Sequence, residues 1–478
     1  MHTEPRSDPS GGLRRGLKRR HVNLIALGGV IGAGLFAGSG VVIHDTGPAA
    51  IIAFLIAGAL MVLVMRMLAE MATARPAVGA FYVHAREALG DRAGFAVGWM
   101  YWYFYVVVVG LEAVAGGRIV QVWLPQLPLW LICLVLMGLL TATNLVSARS
   151  YGEFEYWFSS IKVLAILAFL ALGVLYLCGA WPDARPGFGN LVAHGGFAPN
   201  GILPIVAAIV PCVAFYSGME IVTIAAAESA DPVRAVSRAM STILVRVLTF
   251  FVGSILVVIT VLPWDSAGTL ASPYAAVLGA LHIPGGETIM NAIILVAVLS
   301  CLNSSLYTGS RMLFALTRNG DAPRGLTRLG RGGVPRRAIL AGTVLGFVAV
   351  IFAYFSPDLV FPFIVNSYGA IAMFVYLMVA VTQLRMRRAL EREGAGIPLR
   401  MWGYPWLSRC TILALGAVIL GMAVLPGTRA EFLLSLLTVA VILGAYQVKL
   451  WRAGRRNGRA ADGGPGLAAP VPGERGSS

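Results

Sequence analysis

The sequence predicts an all-α polytopic membrane protein with twelve transmembrane helices, and three observations carry that prediction. Of its 478 residues, 58% are hydrophobic and 12% charged, and mean hydropathy is +0.79; soluble domains hold about a quarter charged residues. Twelve apolar segments approach the roughly 20 residues that a helix needs to cross the bilayer. The connections between them alternate between arginine-rich and arginine-poor. A soluble enzyme, a secreted disulfide scaffold and a disordered regulator are thereby excluded.

The segments lie at approximately 22–43, 48–71, 94–122, 128–147, 156–180, 201–227, 241–262, 286–316, 337–354, 359–384, 405–425 and 429–451. Their ends carry Gly47-Pro48, Leu127-Pro128, Pro263-Trp264 and Tyr404-Pro405-Trp406, turn formers joined to aromatic residues that suit the membrane interface. With the N-terminus inside, 29 of the 37 Lys and Arg residues fall on the cytoplasmic side, counting Arg337 and Arg409 at their span ends. Two, Arg185 and Arg429, fall outside. Positive residues are retained on the cytoplasmic side, so a multi-pass protein of the cell membrane with both termini cytoplasmic is expected. Residues 1–21 read as a basic N-terminal segment. Residues 452–478 are Gly/Pro-rich without apolar periodicity and read as a disordered tail.

Several chemistries are missing their residues. Cys133, Cys178, Cys212, Cys301 and Cys410 form no CxxC pair, and no histidine stands in HExxH spacing, so neither a metal nor another cofactor is expected. There is no Walker lysine and no GxSxG elbow; the chain does not read as an enzyme. The basic residues are spread over short loops, where a nucleic-acid partner would need them gathered on one face.

The first span reads HVNLIALGGVIGAGLFAGSG, with glycines at 28, 29, 32, 34, 38 and 40. Glycine costs about 1 kcal/mol relative to alanine inside a helix, so the glycines need a purpose. One is close packing through the GxxxG pairs Gly28/Gly32 and Gly34/Gly38. The other is a discontinuous helix whose unpaired N–H groups at Gly32 to Gly34 face an anion. The sixth span carries Pro204, Pro211 and a Tyr216-Ser217-Gly218 patch followed by Glu220. Spans one and six occupy corresponding positions in two halves of five, and both are interrupted. That symmetry points to a transporter built as an inverted repeat, with its site near the midplane.

Charges inside spans need an account, because each is costly in hydrocarbon. Glu220 reads either as a protonatable gate or as an acceptor for N–H groups freed by the break. Lys162 either snorkels to the interface or sets its ammonium between helices 1, 5 and 8. Glu112 has no obvious local partner. Arg66 and Glu70, spaced i, i+4, are expected to pair, and Arg246 and Arg311 to snorkel.

Further motifs carry a resemblance. The chain resembles the amino acid transporter family of the amino acid–polyamine–organocation superfamily, most similarly its GABA permeases. The likeness runs from Arg15 to about Leu450, through RGLKRRHVNLIALGGVIGAGLF, YGEFEYWFSSIKVLAIL, EIVTIAAAES, CLNSSLYTGSRML and LRMWGYPWL. It implies a five-plus-five inverted repeat over residues 22–384, with repeats of about 22–180 and 201–384 and peripheral helices within 405–451. It also implies import of an amino acid by proton symport with alternating access. The backbone of Ile31, Gly32, Ala33 and Gly34 would then bind the substrate carboxylate. Carbonyls of Val30, Ala214 and Ser217 would take its amine, with Phe215 and Gly218 completing the site. Lys162 matches a helix 5 lysine that replaces a sodium ion in related carriers, and Glu220 matches the carboxylate linking occupancy to gating. Glu153 and Glu155 belong to the cytoplasmic GEFEYWF signature, either shaping an inner gate or lying on a solvated face. The implied partners are the amino acid, protons and membrane lipid. The chain departs from the pattern at Phe215-Tyr216-Ser217 and at Gly110, both expected to face the site. GABA and an α-amino acid therefore both stay open as substrates, as do symport and exchange.

Overall fold

A computed structural model describes residues 28–29, 31–77, 81–146, 148–182, 187–227, 231–328, 330, 334–425 and 427–462. Every regular element among them is helical. In chain order these include α1 (Ser39–Thr46), α2 (Ala50–Ala74), α3 (Phe81–Leu89), α4 (Asp91–Trp123), α5 (Leu129–Val146) and α6 (Ala148–Leu177). The second half comprises α7 (Ile202–Phe215), α8 (Ile221–Ala227), α9 (Pro232–Ser241), α10 (Ile243–Val261), α11 (Pro273–Ala280) and α12 (Gly286–Arg318). It ends with α13 (Arg336–Phe355), α14 (Pro357–Arg392), α15 (Trp406–Val424) and α16 (Arg429–Asp462).

All twelve apolar stretches are helical over most of their described residues, and ten helical runs are long and apolar enough to cross a membrane. Two local events separate the counts. Stretches one and two form one helical run, Gly34–Ala74, because a short 3₁₀ turn at Gly47–Ala49 joins them. The sixth is divided, and its longer piece, Ile202–Phe215, is too short to cross. At the C-terminus α16 runs through Asp462, beyond the boundary at 452 where a tail was expected. Arg455 stacks its guanidinium 3.8 Å above the Trp451 ring one turn earlier, a contact that favours continued helix. The rest of the expected tail, 463–478, lies outside the described residues.

The long helices α4 and α12 pack side by side at the centre, with α13 and α14 also against α4 and α6 against α12. The helix 6 piece α7 packs on α1, α2 and α14. Helices α15 and α16 lie against α14, with α15 also touching α2 and α16 touching α4. Ion pairs knit the arginine-rich ends. Arg75 meets Glu87 and Glu393. Asp321, nearly inaccessible, takes Arg86 at 2.9 Å, Lys449 of α16 and the Tyr82 hydroxyl at 2.6 Å. Burial, followed by that carboxylate, pushes the Tyr82 phenol well above its ordinary range.

Candidate functional site at two facing helix interruptions

In the first span Gly29, Ile31 and Gly32 are non-helical, and helical geometry is present from Ala33. The Ile31 N–H donates to the Gly28 carbonyl at 3.1 Å; Val30 lies outside the described residues. From Gly34 to Gly38 the chain is a π-helical turn, a geometry frequent at functional sites. A Cβ at either Gly34 or Gly38 would come within 2.5 Å of the Phe215 ring. Packing and interruption, the two purposes offered for these glycines, therefore coexist: the interruption takes in Gly29, Ile31 and Gly32, and the close packing falls at Gly34 and Gly38.

In the sixth span α7 runs unbroken through both prolines to Phe215. Pro204 falls in the first turn, where an N–H has no helical partner, and Pro211 is accommodated inside the helix. The interruption comes at 216–220 instead, where Gly218 takes a φ of +103° that favours glycine. The Ser217 N–H turns back to the Ala214 carbonyl at 3.0 Å. Glu220 fastens this break. Its Oε2 accepts the Gly218 N–H at 3.1 Å. Its Oε1 accepts the hydroxyls of Tyr105 at 2.8 Å, Tyr376 at 3.3 Å and Tyr101 at 3.4 Å. Four donors from the break, α4 and α14 converge on one carboxylate, which moors the helix 6 interruption to both helices.

A cavity of about 770 Å³ connects the two regions. Its deep end is walled by Ala33 and Gly34 of the first span and by Ala214 and Phe215 of the sixth. Its mouth, at the helix ends opposite the arginine-rich ones, includes His44, Asp45, Asn200, Trp264, Asp265 and Thr428. Ile31, Gly32, Ser217 and Gly218 are outside this lining. Of the departures expected to face the site, Phe215 lines the cavity, whereas Tyr216, Ser217 and Gly110 do not. Tyr216 is fully buried and donates its hydroxyl to the Phe54 carbonyl of α2 at 2.9 Å. Gly110 is buried in α4, and its neighbour Leu111 forms the wall.

Lys162 is 0% exposed, so it does not snorkel. Its ammonium donates to the Ile31 carbonyl at 3.1 Å and to Ser300 Oγ of α12 at 2.7 Å, with Glu155 Oε1 at 3.7 Å. Glu155 also accepts from Ser159 at 2.8 Å and Ser300 at 2.6 Å. It is buried in α6 rather than lying on a solvated face, whereas Glu153 beside it stays partly accessible. The spacing of Glu155, Ser159 and Lys162 at i, i+4 and i+7 puts all three on one helix face, a signal present in the sequence and missed by reading Glu155 as loop.

Glu112 was missed as a site residue. It is buried in α4, with Oε1 3.2 Å from where a Gly32 Cβ would stand. The Ala33 N–H and the Cys301 thiol donate to its carboxylate, while Oε2 has no hydrogen-bond partner. Four other charges also depart from expectation. Glu70 pairs not with Arg66 but with Arg387 at 2.8 Å, Gln383 at 2.7 Å and the Met401 N–H; Arg66 donates to the Arg400 carbonyl instead. Arg246 and Arg311 are buried rather than snorkelling, Arg246 donating to the Ala239 carbonyl and Arg311 stacking 3.9 Å over Tyr307. Partners more than 300 residues away, as for Glu70, leave no mark on a helix-by-helix reading.

Apolar helices bundled around a cavity that ends beside two backbone interruptions fit a membrane transport protein. The amino acid permease family profile matches residues 21–459, and the chain belongs to that family. It is 47% identical over 439 residues to the gamma-aminobutyric acid permease of Bacillus subtilis, covering 91% of this chain and 94% of the relative. It is 46% identical to a probable GABA permease of Pseudomonas aeruginosa, over 91% and 93% of the two chains. It is also 44% identical to the gamma-aminobutyric acid permease of Escherichia coli, over 91% and 94%.

Proposed function

We propose that this permease imports GABA or a related amino acid across the cell membrane by proton symport, alternating access between the two sides. The observation that carries this reading is the cavity whose deep end brings Ala33 and Gly34 against Ala214 and Phe215. A zwitterion there meets helical N–H groups from one span and backbone carbonyls from the other, which suit its carboxylate and its ammonium. The names of the three relatives favour GABA among amino acids. In this reading twelve spans, ten of them a five-plus-five inverted repeat, place both termini in the cytoplasm and the cavity mouth outside. Lys162 stands as a fixed cation at the first interruption, so transport proceeds without sodium. Glu220 holds the second interruption to α4 and α14 and transmits its movement.

Uptake of radiolabelled GABA into proteoliposomes under an inward proton gradient tests the reading. Accumulation that a protonophore abolishes, without sodium, is expected. Competition by an α-amino acid and not by GABA would move the substrate while keeping the mechanism. Counterflow without net uptake, insensitive to the protonophore, would make the chain an exchanger.

A further inference from the structure

Where α2, α14 and α15 meet at the arginine-rich end, the carboxylates are already taken. Glu70 and Glu391 take Arg387, and Glu87 and Glu393 take Arg75. Arg66, Arg400 and Arg409 are left without an ion pair among the described residues. Two of them lie over indole rings. Arg66, partly buried in α2, sets its guanidinium 4.7 Å from the centre of the Trp402 ring, and its Nε–H donates to the Arg400 carbonyl at 2.9 Å. Its terminal nitrogens have no acceptor among the described residues. Arg409, in the first turn of α15, lies 5.1 Å over Trp406. The loop that carries Arg400 and Trp402 is itself clamped. The Met401 N–H donates to Glu70, and Ser408 donates to Gln383 at 2.9 Å, so the three cations are presented on a fixed frame.

An apolar track starts at the same place. Trp406, Leu413, Leu420 and Val424 of α15 are 68–72% exposed, and intervals of seven, seven and four put them on one helix face. From this we infer that an anionic glycerophospholipid docks here, its phosphate on Arg66, Arg400 and Arg409 and its acyl chains along the α15 track. The leaflet, the cytoplasmic one, follows from the orientation proposed above. Charge complementarity selects this occupant. Guanidinium forks with free N–H edges suit phosphate oxygens, and indoles settle at headgroup depth. Anionic lipids give the cytoplasmic leaflet its negative surface potential. A zwitterionic lipid brings its own cation, which three unpaired arginines repel. A soluble phosphate has no tail to cover the exposed leucines.

The place of this surface in the fold gives the lipid a part in transport. Helix α2 packs on α7, and its Phe54 carbonyl accepts the Tyr216 hydroxyl from the sixth-span interruption at 2.9 Å. A headgroup held by Arg66 of α2 and Arg409 of α15 ties those two helices together. It thereby steadies the surface against which the sixth-span break works. Transport rate should follow its occupancy, and substrate preference should not, because the cavity lining includes none of these residues.

The test titrates the purified full-length chain, in a neutral detergent, with fluorescent phosphatidylglycerol and with the matching phosphatidylcholine. A saturable site that prefers phosphatidylglycerol is expected. One arginine near the headgroups is worth about fivefold in affinity for an anionic lipid. Arg400→Gln combined with Arg409→Gln should therefore weaken binding roughly twentyfold. Neither side chain joins two helices among the described residues, so the variant keeps the fold. Arg66→Gln, whose amide can still reach the Arg400 carbonyl, repeats the test from α2. Arg392→Gln removes an exposed cation of α14 that lies on no indole, and should change affinity less than about twofold. In proteoliposomes, GABA counterflow should be several-fold faster with about a quarter phosphatidylglycerol than in phosphatidylcholine alone, and the double variant should lose that difference. Equal affinity for the two lipids overturns the inference. So does displacement of phosphatidylglycerol by millimolar inorganic phosphate, or an equal loss in Arg392→Gln. Counterflow equal in the two vesicles overturns the lipid's part in transport. A chain that carries no GABA in either vesicle fails the substrate reading, and the lipid titration still decides this inference.

Discussion

The two interruptions are each served by a buried glutamate, and the two glutamates are treated differently. Glu220 receives four donors on its two oxygens. Glu112 receives donors on one oxygen and nothing on the other. Burial is nearly the same, at 0% and 3% exposure, so depth in the bundle does not distinguish them. Donor count does. A saturated carboxylate behaves as a rivet, because moving or protonating it strands several donors at once. A half-satisfied one ties down fewer neighbours.

The largest expected effect comes from removing the cation shared by the first interruption. Lys162→Ala strands Glu155 as a buried charge and frees the Ile31 carbonyl, and breaking such a pair costs about 3–5 kcal/mol. Uptake and counterflow should both fall by about a hundredfold or more, and near-normal uptake would show that the ammonium is dispensable. Glu220→Gln comes next. An amide keeps one acceptor and turns two N–H donors toward existing donors, for a loss of about 1–3 kcal/mol. Counterflow and accumulation should then decline together and the melting temperature should drop; a variant that splits the two activities would show that Glu220 is more than a rivet. The smallest effect belongs to Tyr105→Phe, which removes one of four donors to Glu220. A loss of about 0.5–1.5 kcal/mol is expected, with coupling unchanged. A larger loss in melting experiments would mean that the four donors act as one unit rather than as a redundant set.

Much of this molecule was legible because its strongest signals lie along the chain. Apolar runs, the arginine alternation and glycine clusters are local, and they located the helices and both interrupted spans. What escaped was lateral. Tyr216 sits in the break, but its ring packs toward α2, a direction that sequence position does not specify. The prolines looked like the breakers of the sixth span, yet one sat harmlessly in the first turn and the other inside an intact helix. Glu112 was visible as a charge without a local partner; that its neighbour would be the Ala33 N–H of another helix was not. Glu155 was the exception, since its i+7 spacing to Lys162 could have been read directly.

The turn between α15 and α16 contributes Gly427 and Thr428, and the first turn of α16 contributes Glu431, to the cavity wall near its mouth. The last two helices are therefore more than a lipid-facing buttress. A shortened chain ending after α14 would lack one side of its vestibule and widen the opening through which solutes arrive. Binders raised against this hairpin would act as stoppers without touching the deep site, and grafting a relative's hairpin would change how quickly a ligand is captured while leaving its chemical preference in place.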